Sequence, residues 1–186
     1  MRAFIAVDAL SEAIIAKLQN DILSTTGWNR RDVKPVDPRN FHFTIIFLGE
    51  VSDEDIEKIK EGLTGLQFEA FAITYTGVGG FPKLSHARVI WVGIDSQGAQ
   101  RLTNLANEVI TELSELGFRP DKPFSPHLTL FRAKSSSGYL NAAEISSKYQ
   151  GRTFESEIIN KVHLKKSVLS PSGPTYSNVY TIEAKK

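Results

Sequence analysis

Two short segments, HFTI at 42–45 and HLTL at 127–130, constrain this chain more than any other feature. Each lies in a run of aromatic and β-branched or leucine residues, the composition of a strand. Strand side chains alternate between faces, so His42 and Thr44 point one way while Phe43 and Ile45 point the other. The same holds for His127 and Thr129 against Leu128 and Leu130. Each segment therefore has a greasy face to bury and a polar face to line a cleft. Two copies in one chain predict two similar lobes facing each other about a pseudo-two-fold. That arrangement brings two imidazoles and two hydroxyls around one small anion.

The remaining pattern supplies strands and helices for such a fold. Strands are expected over 4–7, 41–48, 68–78, 87–94, 127–131, 153–159, 161–169 and 176–183. Helices are expected after Ser11 and Ser52 as caps, over 97–116, and weakly over 141–149. Residues 29–38 read as a loop, and Gly77, Gly79, Gly80 and Pro82 read as a break. Residues 135–138 read as a polar turn, and Pro171, Gly173 and Pro174 as the last turn. Paired strands with hairpin-like turns dominate the second half, which favours α+β with antiparallel sheets over a doubly wound parallel sheet. With 186 residues the expected organisation is one domain, 1–186, built of two lobes with one motif each.

Composition narrows the chemistry. The chain has no cysteine, which removes disulfides, thiolate nucleophiles and cysteine zinc sites. Its 22 basic and 21 acidic side chains nearly cancel, so it lacks the basic excess of proteins that grip long nucleic acid. Asp8 closes the opening apolar stretch before it reaches the ~7–15 residues of a secretory signal core. No segment approaches the ~18 apolar residues of a membrane span. The expectation is a soluble, cytoplasmic monomer. No metal-binding spacing such as HExxH or HxH and no GxSxG elbow is present, so neither a metal nor a cofactor is expected.

The paired motifs suit phosphodiester chemistry. One histidine can take a proton from water while the other gives one to a leaving oxygen, since imidazole titrates near neutrality. Threonine hydroxyls can donate to nonbridging oxygens where charge accumulates. A single His-x-Thr in a strand says little; two copies say more. His86 and His163 read as surface residues. Phe47 and Trp91 read as core, while Phe81 and Phe131 are further aromatic candidates for base stacking or core. Arg30, Arg31, Lys34 and Lys83 are loop cations, and Tyr176 follows the last turn.

The chain resembles the two-histidine (2H) phosphoesterase superfamily, and within it the RNA 2',3'-cyclic phosphodiesterases, also called 2'-5' RNA ligases. The resemblance runs nearly end to end: RAFIAVD at the start, FHFTIIFLGEV at 41–51, GVGGFP at 77–82, ARVIWVGI at 87–94, FSPHLTLFRAK at 124–134 and SVLSPSGPTY at 167–176. It implies a bilobal α+β fold with both motifs facing a central cleft. It also implies hydrolysis of a terminal 2',3'-cyclic phosphate to a 2'-phosphomonoester. By that likeness His42 is the proton donor and His127 the proton acceptor, Thr44 and Thr129 hold the phosphate, and no cofactor is used. The implied partner is an RNA 3' end bearing the cyclic phosphate, tRNA halves being one candidate source. Arg132 matches an arginine that often follows the second motif and is a candidate phosphate contact. An ideal pleat would turn it to the opposite face from His127, and a bulge would bring it back. The reverse reaction, joining RNA ends through a 2'-5' linkage, would use the same groups. A noncatalytic RNA-binding protein and a different cyclic phosphodiester substrate remain open alternatives.

Overall fold

The computed structural model describes residues 1–134, 138–171 and 173–185. The expected turn at 135–138 falls mostly outside these residues. The described residues form two antiparallel sheets and four helices. In chain order the elements are β1 (Arg2–Asp8), α1 (Glu12–Thr26), β2 (Val33–Pro35), β3 (His42–Glu50), α2 (Asp53–Leu63), β4 (Phe71–Phe81), β5 (Val89–Ile94), α3 (Ser96–Glu115), β6 (Leu128–Ala133), α4 (Ala143–Tyr149), β7 (Thr153–Ile159), β8 (Lys161–Ser170) and β9 (Gly173–Glu183). The first sheet has the order β3-β1-β8-β9 and the second β2-β6-β5-β4-β7. One motif thus lies in each sheet. Asn160 alone joins β7 of the second sheet to β8 of the first.

Sequence chemistry accounts for these elements, with instructive departures. Ser52 makes a capping box: its hydroxyl accepts from Asp55 N at 3.1 Å and its own N–H donates to Asp55 Oδ2 at 2.9 Å. Ser11 stands at the corresponding position of α1 but makes no side-chain cap. Instead the N–H groups of Leu10 and Ser11 donate to Glu157 Oε2 at 3.0 and 2.7 Å. A carboxylate from β7 replaces the local cap, and its charge suits the positive end of the helix. The expected loop at 29–38 contains β2, which pairs with β6 and so becomes an edge strand. The expected break at Gly77–Pro82 is also absent, because β4 runs through it to Phe81. The glycines serve packing there. A Cβ on Gly79 would lie 2.1 Å from the Trp91 indole, and one on Gly80 would lie 2.8 Å from Ala87.

The core joins the two sheets. Phe43 of β3 stacks on Tyr75 of β4 with ring centroids 6.0 Å apart and planes 11° from parallel. The Tyr75 hydroxyl donates to Glu157 Oε1 at 3.0 Å. Burial and the neighbouring Glu157 carboxylate hold that phenol strongly protonated. Glu157 therefore ties the start of α1 to the interior of the second sheet. No helix among the described residues is long and apolar enough to cross a membrane.

Candidate active site

Both motif strands carry a bulge at the same place. In β3, Thr44 pairs with Ala6 and Ile46 with Ile5, so Ile45 has no partner on β1. In β6, Thr129 pairs with Trp91 and Phe131 with Ile90, so Leu130 has no partner on β5. An extra residue resets the alternation of a strand. Ile45 and Ile46 are both buried, as are Leu130 and Phe131. The residue after each pair returns to the face of the motif threonine. Arg132 is thereby exposed on the cleft face. Phe47, expected in the core, is 70% exposed for the same reason. Phe131 is fully buried.

The bulge in β6 is anchored from α1. Gln19, 5% exposed, donates its amide to Leu130 O at 2.8 Å and to Val36 O at 3.0 Å. The carbonyl of the residue left out of the β5 pairing thus accepts from Gln19 as well as from the Val36 N–H, 2.9 Å away.

His42, Thr44, His127 and Thr129 line one cavity of about 560 Å³, together with Arg132, Tyr176 and the β2 segment carrying Lys34. The structure therefore brings together all five residues singled out from the sequence. The two imidazoles are held alike. His42 Nδ1 lies 2.6 Å from Asn40 O, and His127 Nδ1 lies 2.7 Å from Ser125 O, each carbonyl two residues upstream. A carbonyl only accepts, so each ring carries its hydrogen at Nδ1 when neutral, leaving Nε2 for the cavity. Burial lowers the His42 pKa below that of a free imidazole; the Asn40 carbonyl and Asp8 oppose this, while Lys165 and Arg132 reinforce it. Burial lowers that of His127 as well, with Ser125 O opposing and Arg132 reinforcing.

Aromatic rings fix both imidazoles. Tyr176 and Phe4 flank His42, the Tyr176 ring edge-on with its centroid 5.4 Å away and the Phe4 centroid 5.1 Å away. Phe81 stands edge-on to His127 at 5.0 Å, and Trp91 lies 6.5 Å away. Trp91, expected in the core, is only half-buried and forms part of this wall. Asn40 adds a second restraint: its Nδ2 donates to Pro174 O at 3.1 Å, pinning the β8–β9 turn beside His42.

His86 is exposed, as expected. His163 and Lys165, the former expected on the surface, are each only 7% exposed. Lys165 Nζ grips both Asp8 oxygens at 2.6 and 2.7 Å, and His163 Nδ1 meets Thr181 Oγ1 at 2.9 Å. Strand alternation does not say which face a neighbouring element covers. Among the described residues, no three His, Asp or Glu side chains are grouped so as to hold a metal ion. Asn40 and Ser125 had no signal in the sequence, since they act through backbone carbonyls that every residue has.

This fold and cavity define a hydrolase of phosphodiester bonds. The chain belongs to the LigT like phosphoesterase family, whose profile matches residues 13–91 and again 92–176, one His-x-Thr segment in each match. It is 39% identical to an RNA 2',3'-cyclic phosphodiesterase of Archaeoglobus fulgidus, over 98% of this chain and 100% of that protein. It is 35% identical to one of Aeropyrum pernix, over 91% and 94% of the two chains. Its fold is similar to the crystal structure of TT0787 of Thermus thermophilus, with a TM-score of 0.76, 25% identity and coverage of 98% and 97%.

Proposed function

We propose that this chain hydrolyses the terminal 2',3'-cyclic phosphate of RNA to a 2'-phosphomonoester by acid–base catalysis between two histidines. The observation that carries the reading is the matched tethering of His42 and His127 in one cavity with Thr44 and Thr129. Each ring is oriented through Nδ1 and keeps Nε2 for proton transfer. In the reaction, water attacks phosphorus and gives its proton to His127. The bond from phosphorus to the 3'-oxygen breaks, and His42 protonates that oxygen. Thr44, Thr129 and Arg132 donate to the nonbridging oxygens, where negative charge builds. No metal takes part. The names of the relatives in Archaeoglobus fulgidus and Aeropyrum pernix support the RNA substrate.

Joining RNA ends through a 2'-5' linkage is the same displacement with a 5'-hydroxyl in place of water: that hydroxyl attacks phosphorus, the bond to the 3'-oxygen breaks, and the same two histidines move the protons. An oligonucleotide ending in 2',3'-cyclic phosphate, incubated with and without a 5'-hydroxyl partner and in EDTA, tests both reactions. The expected result is a 2'-phosphate product that persists in chelator. His42→Ala and His127→Ala should each lose ~10²–10⁴-fold in rate. Thr44→Val and Thr129→Val should lose less, each removing one hydrogen bond. Unchanged turnover in either histidine variant, or a dependence on added divalent ion, would overturn the mechanism.

A further inference from the structure

The two imidazoles are tethered alike, but their neighbours differ. Asp8 of β1 is the cross-strand partner of His42. Directly paired residues of antiparallel strands share a face, with Cβ atoms ~4.5–5.5 Å apart. Asp8 therefore stands beside His42 on the cleft face of the first sheet. In the second sheet Leu128 pairs with Val92. Extending that register by one residue sets Gly93, which has no side chain, opposite His127.

The carboxylate is fixed from β8. Lys165 Nζ donates to both Asp8 oxygens, at 2.6 and 2.7 Å, and His163 Nε2 lies 3.7 Å from Oδ2. Lys165 and His163 are buried, and the proton transfers proposed above use neither. Burying such charges costs desolvation that an apolar cluster would avoid. Around His42 the charged and titratable groups are Asp8 of β1, Lys165 and His163 of β8, Tyr176 of β9, Arg132 and His127 of β6, and Lys34 of β2. Asp37 and Arg39 line the same cavity but pair with each other at 2.8 Å. Burial disfavours the charged form of both catalytic rings. At His42 the Asp8 carboxylate opposes this more strongly than Lys165 reinforces it, whereas no carboxylate of the described residues opposes it at His127.

We propose that Asp8, clamped by Lys165, is the positioning residue that makes His42 the acid of the pair. Its carboxylate stabilises the His42 imidazolium across the strand, and the lack of a counterpart opposite His127 leaves that ring neutral to serve as base. This rests on the proposed phosphodiesterase reading and adds the origin of its asymmetry. Two rings with the same tether thus take opposite roles because one sheet carries a carboxylate where the other carries glycine. Lys165 limits the effect, since a carboxylate without it would hold the proton on His42 too firmly to release it to the leaving oxygen.

The test is an NMR titration of the histidine rings in wild type, Asp8→Asn, Lys165→Met and the double variant, the His42 resonance being the one lost in His42→Ala. Asp8→Asn removes the carboxylate and leaves the Lys165 ammonium, so His42 should titrate about one pH unit lower. Lys165→Met should move it upward, and the double variant should return it toward wild type. His127 should titrate as in wild type throughout. An unmoved or raised His42 in Asp8→Asn, or an equal fall at His127, would sink the proposal. Kinetics carry the same signature. The alkaline side of the kcat/KM profile on adenosine 2',3'-cyclic phosphate should follow His42, a loss of roughly tenfold at pH 8 for Asp8→Asn. With sulfur in place of the 3'-oxygen the leaving thiolate needs no proton, and the loss should be several-fold smaller. Equal losses on both substrates would mean that Asp8 serves the fold and not the acid. The ring titration needs no turnover. A wild type that leaves the cyclic phosphate intact would end the phosphodiesterase reading while the Asp8–His42 coupling stands; an unmoved His42 in an active enzyme would end this inference alone. Thermal melting checks that each variant is folded, and the isosteric Asp8→Asn decides the matter if Lys165→Met is not.

Discussion

Gln19 of α1 donates its side-chain amide to the carbonyl of Leu130 at 2.8 Å, and Leu130 is the residue left unpaired by the bulge that turns Arg132 into the cleft. Gln19→Leu removes the side-chain donor from Val36 O and one of the two donors on Leu130 O, which keeps the Val36 N–H at 2.9 Å, while nearly keeping the volume. A buried polar group left without its partner costs ~1–3 kcal/mol. Urea unfolding should show a loss of that order. With the bulge no longer held, KM for a cyclic phosphate should rise through Arg132. A variant as stable as wild type with an unchanged KM would contradict this anchoring.

The pH dependence follows from the two imidazoles. Burial lowers both pKa values from the 6.5 of a free imidazole. The acid works only while protonated, so rate falls as pH rises through its pKa. The base works only while neutral, so rate falls as pH drops through its pKa. The bell of kcat/KM, which reports the free enzyme, should therefore peak on the acid side of 6.5. A maximum above pH 7.5 would argue against these assignments.

Acid should also weaken the fold. His42, His127 and His163 all have pKa values lowered chiefly by burial. The unfolded chain then binds more protons than the folded one below the ordinary imidazole pKa. Stability is complete above about pH 7, declines as pH falls through 6.5, and levels off below the folded pKa values until carboxylates titrate. Unfolding midpoints at pH 7.5, 6 and 5 should descend in that order.

Lys165 and Asp8 form a largely covered ion pair, with side-chain exposures of 9% and 31%. Lys165→Met strands the carboxylate. Breaking a buried pair by removing one partner costs ~3–5 kcal/mol, and the partial exposure of Asp8 puts this case at the lower end. Adding Asp8→Asn should recover much of the loss, since the pair is then gone as a unit. Chemical denaturation of the single and double variants measures the difference.

Asn40 acts at both ends, its carbonyl on His42 and its amide on Pro174. Asn40→Ala keeps the first contact and deletes the second. A neutral hydrogen bond contributes ~0.5–1.5 kcal/mol net. The start of β9, which carries Pro174 and Tyr176, should loosen, and kcat/KM should fall by roughly 2- to 10-fold. An unaltered kcat/KM would show that the turn needs no pin.

Much of this was legible in the residue order. Binary patterning and turn chemistry gave every strand but β2, the long α3 and the Ser52 cap, because those depend on neighbours within a few positions. The duplicated His-x-Thr segments named His42, Thr44, His127 and Thr129, and the family resemblance named Arg132; all five line the cavity. The misreadings have a common origin. Gly79 and Gly80 look like a break until Trp91 and Ala87 occupy the space their missing side chains leave. Ser11 looks like a cap until Glu157, from the far end of the chain, takes its place.

The sequence alone determined which side chains are available for proton transfer and that they lie on strands with one greasy and one polar face. Only the tertiary structure decided which way the residues after each motif face. Register is a property of two strands together: a single unpaired residue, Ile45 or Leu130, reverses the side chains that directly follow it. No single strand's pattern records that choice, which is how Phe47 came to the surface and Arg132 to the wall of the cavity.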